Sequence, residues 1–234
     1  MQLYDAHCHP QASLHNPVVL NGTCPEDWAQ ILKLANQKSQ IIPAIGLHPW
    51  QVNDAPDDWQ ASFLQQIAEA KAVGEIGLDQ WIDGHQLERQ QAAFCWQLQQ
   101  AAQRNMPVSI HCLKASDPLL RILKTQSAPK RGIHLHAYSG SAEQVRSFTA
   151  LGAYFSFHAG QLHPKAKKAP AAVRAVPSDR LLIESDAPDT IQNTVSYGEF
   201  LQHGYQRVAE LRGLTVETLA EQVAANFARY FLDD

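Results

Sequence analysis

The sequence is poor in features that would settle its class early. Its four cysteines, Cys8, Cys24, Cys95 and Cys112, form no CxxC pair and follow no framework spacing. That argues against a disulfide scaffold and a cysteine zinc site. No apolar run reaches membrane-spanning length, and the first residues show no charged-then-apolar leader. A transmembrane helix and a secretory signal are therefore not expected, and a reducing cytoplasm is. Positive charge is not in excess either: 19 Lys and Arg face 23 Asp and Glu, for a net charge of −4. A protein that grips duplex DNA by phosphate contacts alone is usually basic, although bound cations would change that argument. There is no internal repeat, low-complexity tract or composition break, so residues 1–234 read as one domain, a monomer or weak homo-oligomer.

What is present is ordinary globular material, 45% hydrophobic and 18% charged, enough for a sizeable core. Eight short apolar segments read as strands: 2–9, 18–22, 41–48, 72–79, 107–112, 132–138, 153–158 and 181–187. Amphipathic stretches such as 26–37, 58–71 and 88–105 alternate with them. Strands alternating with helices imply parallel βαβ units, and eight such units predict an α/β fold, a closed (β/α)8 TIM-type barrel. One connection is irregular. Only PQASLHNP separates His9 from Val18, too short and too proline-bound for a crossover helix. The first crossover helix is predicted to be reduced or missing.

The run DAHCH opens the functional question. In a strand, alternate side chains share a face, so Asp5, His7 and His9 point one way and Cys8 the other. Barrel active sites gather at the C-terminal ends of the strands. There the sequence places His7 and His9, His48 in GLHPW, Glu75 and Asp79 in VGEIGLD, His111 in SIHC, His136 in LHAYSG, and Glu184 and Asp186 in IESDAP. Each is a metal-ligating type at the mouth of a barrel strand. His134 repeats the HxH pattern one layer deeper, where a core hydrogen bond is the better expectation.

In this order, DAHCHP, GLHPW, VGEIGLD, IHC, HAYSG and ESDAP resemble the TatD family of metal-dependent hydrolases, and the resemblance extends to the C-terminal ANFARYF. It implies a barrel carrying a two-metal centre and nuclease activity on DNA, often 3′-to-5′ exonuclease action. Carried over residue by residue, it implies that His7 and His9 bind one metal, that Glu75 bridges, and that His111 and His136 bind the second. Asp186 completes the first site and, with Glu75, is the expected catalytic carboxylate. Glu184 and Asp5 would orient these groups, and His48 would have an orienting or substrate role. Two divalent ions, Mn2+, Mg2+ or Zn2+, are the expected cofactors. The imidazole-rich set favours Mn2+ or Zn2+ over Mg2+, which prefers oxygen shells.

Two departures bear on the substrate. Leu113 stands where family members usually carry arginine, with Lys114 following as a substitute point charge. The segment DAPDTIQNTVSYGEF has no basic residue. One basic stretch, 163–180, holds Lys165, Lys167, Lys168, Arg174 and Arg180, and reads equally as a loop that tracks a nucleic-acid backbone or as a solvated helix face. His158 ends the seventh strand and is a candidate substrate contact, while Trp50 and Trp81 could stack a base or only wall the pocket. The leading expectation is a phosphodiesterase or deoxyribonuclease that activates water with two metals, acting on single-stranded DNA or short nucleotides. The alternatives are an amidohydrolase-like enzyme on a small ester, lactone or amide, and a metal-binding partner protein without turnover.

Overall fold

The computed structural model describes residues 1–11, 14–191 and 195–233. Its strands are β1 (Asp5–Cys8), β2 (Val18–Asn21), β3 (Ile41–Ile45), β4 (Ala72–Asp79), β5 (Val108–Leu113), β6 (Ile133–Leu135), β7 (Ala153–Phe157) and β8 (Leu181–Ile183). Each pairs in parallel with the next, giving one eight-stranded sheet in chain order. At the C-terminal rim the first and last strands are tied by Asp186 N–H donating to His7 O at 2.9 Å and His9 N–H to Ala187 O at 2.8 Å. The sheet thereby curls into the nearly closed TIM-type barrel.

The helices are α1 (Pro25–Gln37), α2 (Trp59–Gln66), α3 (Leu87–Arg104), α4 (Ser116–Thr125), α5 (Ala142–Thr149), α6 (Lys168–Ala175), α7 (Tyr197–Arg212) and α8 (Val216–Phe227). Between β1 and β2 the described residues of 10–17 contain no helix, as the prolines require; Ala12 and Ser13 lie outside the described residues. Leu14, 2% exposed, packs into the core on this flank instead. The basic stretch is not one loop: residues 168–175 form α6, which runs back toward the opposite end of the barrel. Arg180 lies just before β8, at the N-terminal face, and pairs with Asp179 at 2.8 Å. The loop reading therefore holds only for Lys165 and Lys167, with Lys168 at the start of the helix. Among the described residues, no helix is long and apolar enough to cross a membrane.

Side-chain alternation divides the barrel interior into layers. At the bottom, Ala6, Val19, Ala72, Tyr154 and Leu182 meet Phe227, Tyr230 and Phe231 from the chain's C-terminal segment. The Tyr230 hydroxyl donates to Val108 O at 2.8 Å, which fastens this plug to β5. Two residues higher, the inward positions are Ser109, His134, Ser156 and Glu184, all fully buried. Two higher again lies the rim, with His111 and His136. A period of two thus places an apolar floor, a polar layer and a histidine layer in succession on adjacent strands.

Candidate metal centre

The rim residues converge on Glu75. Its Oε2 lies 3.3 Å from His7 Nε2 and 3.3 Å from His9 Nε2. Its Oε1 lies 2.6 Å from His136 Nε2, 2.9 Å from His111 Nδ1 and 3.2 Å from His48 Nε2. Asp186 Oδ1 is 3.8 Å from both His7 Nε2 and His9 Nε2. Three overlapping groups have the spacing to hold a metal ion: His7 with Glu75 and His136, His7 with His9 and Asp186, and His48 with Glu75 and His111.

Local sequence explains the convergence. Gly77, two residues after Glu75, has φ +154°, and a Cβ there would lie 2.0 Å from the carbonyl oxygen of His111. Only glycine lets β4 and β5 approach this closely, so GEIG sets Glu75 against His111. Asp186 and Ala137 both adopt φ in the left-handed region, 51° and 40°, the kind of strained conformation held where a site demands it.

The far side of each ring shows which nitrogen carries the proton. His9 Nδ1 donates to Asn21 O at 3.1 Å, and His111 Nε2 donates to the buried Asp79 Oδ2 at 3.0 Å. A neutral ring has one N–H, so a neutral His9 turns its Nε2 lone pair toward the Glu75 carboxylate; His111, held between two carboxylates, does the same through Nδ1 when its proton stays on the Asp79 side. Acceptor facing acceptor at these distances demands a cation between them. In the metal-free chain protons take that part. Burial lowers His9, but Glu75 overrides it and pushes the ring up to about 9. Burial raises Glu75, but His136, His48 and His111 hold it well below the usual carboxylate range. Imidazoles and carboxylates arranged in this way fit divalent metal ions.

His48 differs from its neighbours. Its Nδ1 accepts the Trp50 N–H at 3.2 Å, which leaves its proton on Nε2, aimed at Glu75. Asp186 is raised to about 7, by burial first and by Glu184 and Glu75 next, against the opposing pull of His136.

Other expected residues lie around this centre. Glu184 is buried beneath it and accepts the Ala137 N–H at 2.6 Å. Asp5 is also buried, accepting from Ser185 Oγ at 2.6 Å and Tyr197 OH at 2.9 Å, so it ties β1, the β8 loop and α7 together. His134 makes the core hydrogen bonds expected of it, to Ser156 and Ser109. Lys114 is exposed and His158 stacks on Phe200 with ring centroids 6.2 Å apart; neither lines the cavity above the cluster. That cavity, about 520 Å³, is walled by Trp50, Trp81, Leu113 and Gln161 among others, and no lysine or arginine lines it among the described residues.

Several positioning groups escaped the sequence reading. The sequence marks Asp79 only as a rim carboxylate, yet it accepts from His111, from Trp50 Nε1 at 2.7 Å and from Trp81 N–H at 2.6 Å. Gln90 and Gln97 of α3 are buried and clamp the backbone of Asp79 and of Leu47 beside His48. Their signal was available: two glutamines seven apart share a helix face, and this face is otherwise apolar.

A parallel barrel with this donor set at its C-terminal mouth is the architecture of a metal-dependent hydrolase. The TatD related DNase family model matches residues 4–232, and the chain belongs to that family of metal-dependent hydrolases. It is 32% identical to the uncharacterized metal-dependent hydrolase YjjV of Escherichia coli K12, over 79% of this chain and 79% of that one. The crystal structure of YjjV superposes with a TM-score of 0.85 at 30% identity, covering 93% of this chain and 86% of that one. The uncharacterized metal-dependent hydrolase YabD of Bacillus subtilis is 32% identical over 58% of this chain, and the match spans 54% of YabD's own length. A protein of Erwinia tasmaniensis named as the 3′-5′ ssDNA/RNA exonuclease TatD is 30% identical over 58% of this chain and 56% of its own.

Proposed function

We propose that this chain is a metal-dependent phosphodiesterase of the cytoplasm acting on single-stranded DNA or short nucleotides. The observation that carries it is the convergence of imidazole nitrogens on the buried Glu75 carboxylate at 2.6–3.3 Å, with Asp186 beside them. His7, His9 and Asp186 would hold one cation, His111 and His136 a second, with Glu75 between them. The imidazole content favours Mn2+ or Zn2+ over Mg2+. Bound there, two divalent cations supply Lewis acidity, lowering the pKa of water and offsetting charge on phosphoryl oxygens.

The chain's own groups do the rest. Asp186, at the open edge of the cluster, accepts the proton of the attacking water on the carboxylate oxygen turned away from His7 and His9 and returns it to the leaving oxygen. His48 donates Nε2–H to Glu75 Oε1 and keeps that carboxylate oriented. Trp50 and Trp81, both exposed at the cavity wall, offer faces on which a base stacks. The exonuclease name carried by the Erwinia relative supports nucleic acid as the substrate class.

A second reading keeps the metals and changes the bond. The lack of any cavity-lining lysine or arginine among the described residues suits a small neutral ester, lactone or amide. A metal-holding partner without turnover fits less well, because the donor set is complete. Incubation with an end-labelled single-stranded oligonucleotide separates the readings. Stepwise shortening that needs Mn2+ or Mg2+, stops with EDTA and is lost in Glu75→Ala is the expected result. No shortening by a protein that binds two metals per chain would move the search to small esters and amides.

A further inference from the structure

Below the cluster, a line of hydrogen bonds crosses the barrel through side chains that the proposed chemistry does not use. His7 Nδ1 lies 2.8 Å from Ser109 Oγ, and Ser109 Oγ lies 3.3 Å from His134 Nδ1. His134 Nε2 lies 2.6 Å from Ser156 Oγ, which donates to Glu184 Oε2 at 2.5 Å. His7, Ser109, His134, Ser156 and Glu184 all have 0% exposure. The second oxygen of Glu184 accepts the Ala137 N–H at 2.6 Å.

A serine has one proton to give, and a carboxylate only accepts. Ser156 gives its proton to Glu184 and can only accept from His134, whose own proton therefore sits on Nε2. His134 Nδ1 then carries a lone pair and takes the proton of Ser109. Ser109 in turn accepts from His7, whose proton is fixed on Nδ1. His7 is left with its lone pair on Nε2, the atom 3.3 Å from both His9 Nε2 and Glu75 Oε2. Ser109 by itself could donate or accept and would leave the tautomer of His7 open; the further links remove that choice. Ser109, His134 and Ser156 each sit two residues before a histidine of the upper layer, so strand alternation stacks the chain directly beneath the site.

We infer that Ser109, His134 and Ser156 are positioning residues. Anchored on the Glu184 carboxylate, they hold His7 in its Nδ1–H tautomer and aim its Nε2 lone pair at a metal. The inference rests on the reading of His7 as a ligand, but the tautomer is testable without metal. In metal-free protein carrying 15N-histidine, long-range 1H–15N spectra should show His7 protonated on Nδ1 and His134 on Nε2. Ser109→Ala and Ser156→Ala should each turn His7 into a tautomer mixture and weaken Zn2+ binding about 10- to 100-fold, while Ser156→Thr, which keeps the hydroxyl, should restore both. A purely packing role would leave the His7 spectrum unchanged in the serine variants. Wild-type His7 protonated on Nε2, or both alanine variants with unaltered spectra and Zn2+ affinity, would overturn the inference. Expected tautomers in a protein that binds no Zn2+ would support the chain and overturn the ligand role of His7 instead.

Discussion

His111 lies between two carboxylates, with its Nδ1 2.9 Å from Glu75 Oε1 and its Nε2 3.0 Å from Asp79 Oδ2. Asp79 therefore decides which nitrogen faces the centre. A carboxylate behind a ligating imidazole fixes the ring and raises its basicity. Asp79→Asn can still accept at Oδ1 from the Trp81 N–H, so the turn after β4 should survive. Zn2+ affinity, measured by competition with a chelator, should fall about 10- to 100-fold; the amide nitrogen that replaces Oδ2 also faces the Trp50 Nε1–H, so the metal-free protein should lose about 1–3 kcal/mol of stability. Unchanged affinity would mean that Asp79 only supports the turn.

Gly77 tests how the close approach of β4 and β5 is made. Alanine there meets the His111 carbonyl oxygen at 2.0 Å in a conformation unsuited to any side chain. Relief requires the strands to part just where Glu75 and His111 meet. Gly77→Ala should cost about 3 kcal/mol or more, read as a lower urea midpoint at constant slope. A variant as stable as the parent would show that the strands can separate freely.

Much of this arrangement was legible in the sequence. DAHCH, VGEIGLD, IHC, HAYSG and ESDAP each announce a polar residue at a strand end, and strand alternation places those of IHC, HAYSG and ESDAP inward. In DAHCH simple alternation fails: pairing is irregular between Asp5 and Cys8, so Ala6 and His7 both face the barrel interior, while Asp5 turns to Ser185 and Tyr197 instead of sharing the face of His7. Pairing is irregular again between Val73 and Ile76, around Glu75. Other parts were not so legible. Helix α6 is only one of two equal readings of its sequence, because Pro170 and a run of lysines leave its start ambiguous; the proline falls at its third residue, where a missing N–H breaks no helical bond. The links from Asp5 to Tyr197, 192 positions apart, and from Gln97 to Leu47 depend on tertiary packing that no local pattern records.

Metal removal should be visible in stability. A ligand at about 100 times its Kd adds roughly 2.7 kcal/mol to the folded state, and each kcal/mol moves the midpoint of a chain this size by about 2–4 °C. EDTA should therefore lower Tm by about 5–10 °C relative to protein saturated with Mn2+ or Zn2+. Glu75→Gln removes the carboxylate shared by the donor groups and should abolish most of that difference. An equal EDTA shift in the variant would place the stabilising metal elsewhere.

The lysines beside the mouth decide how a long polyanion is held. The cavity is lined by Glu75, Asp186 and Asp189 but by no lysine or arginine among the described residues, so a phosphate chain leaving the centre meets no long basic side chain on the cavity wall. Lys165, Lys167 and Lys168 are exposed and follow shortly after Gln161, which does line the cavity; Arg174 and Arg180 lie toward the opposite end and cannot serve the same strand. If the three lysines track a backbone leaving the site, each contact releases a counterion, with a salt slope near −0.7 per phosphate for single strands. The triple alanine variant should then raise KM for an oligonucleotide of about ten residues, flatten its salt dependence by up to about two units, and leave a dinucleotide's kcat/KM unchanged. Equal KM and equal salt slope in parent and variant would leave the three lysines as solvated surface, with no part in holding the substrate.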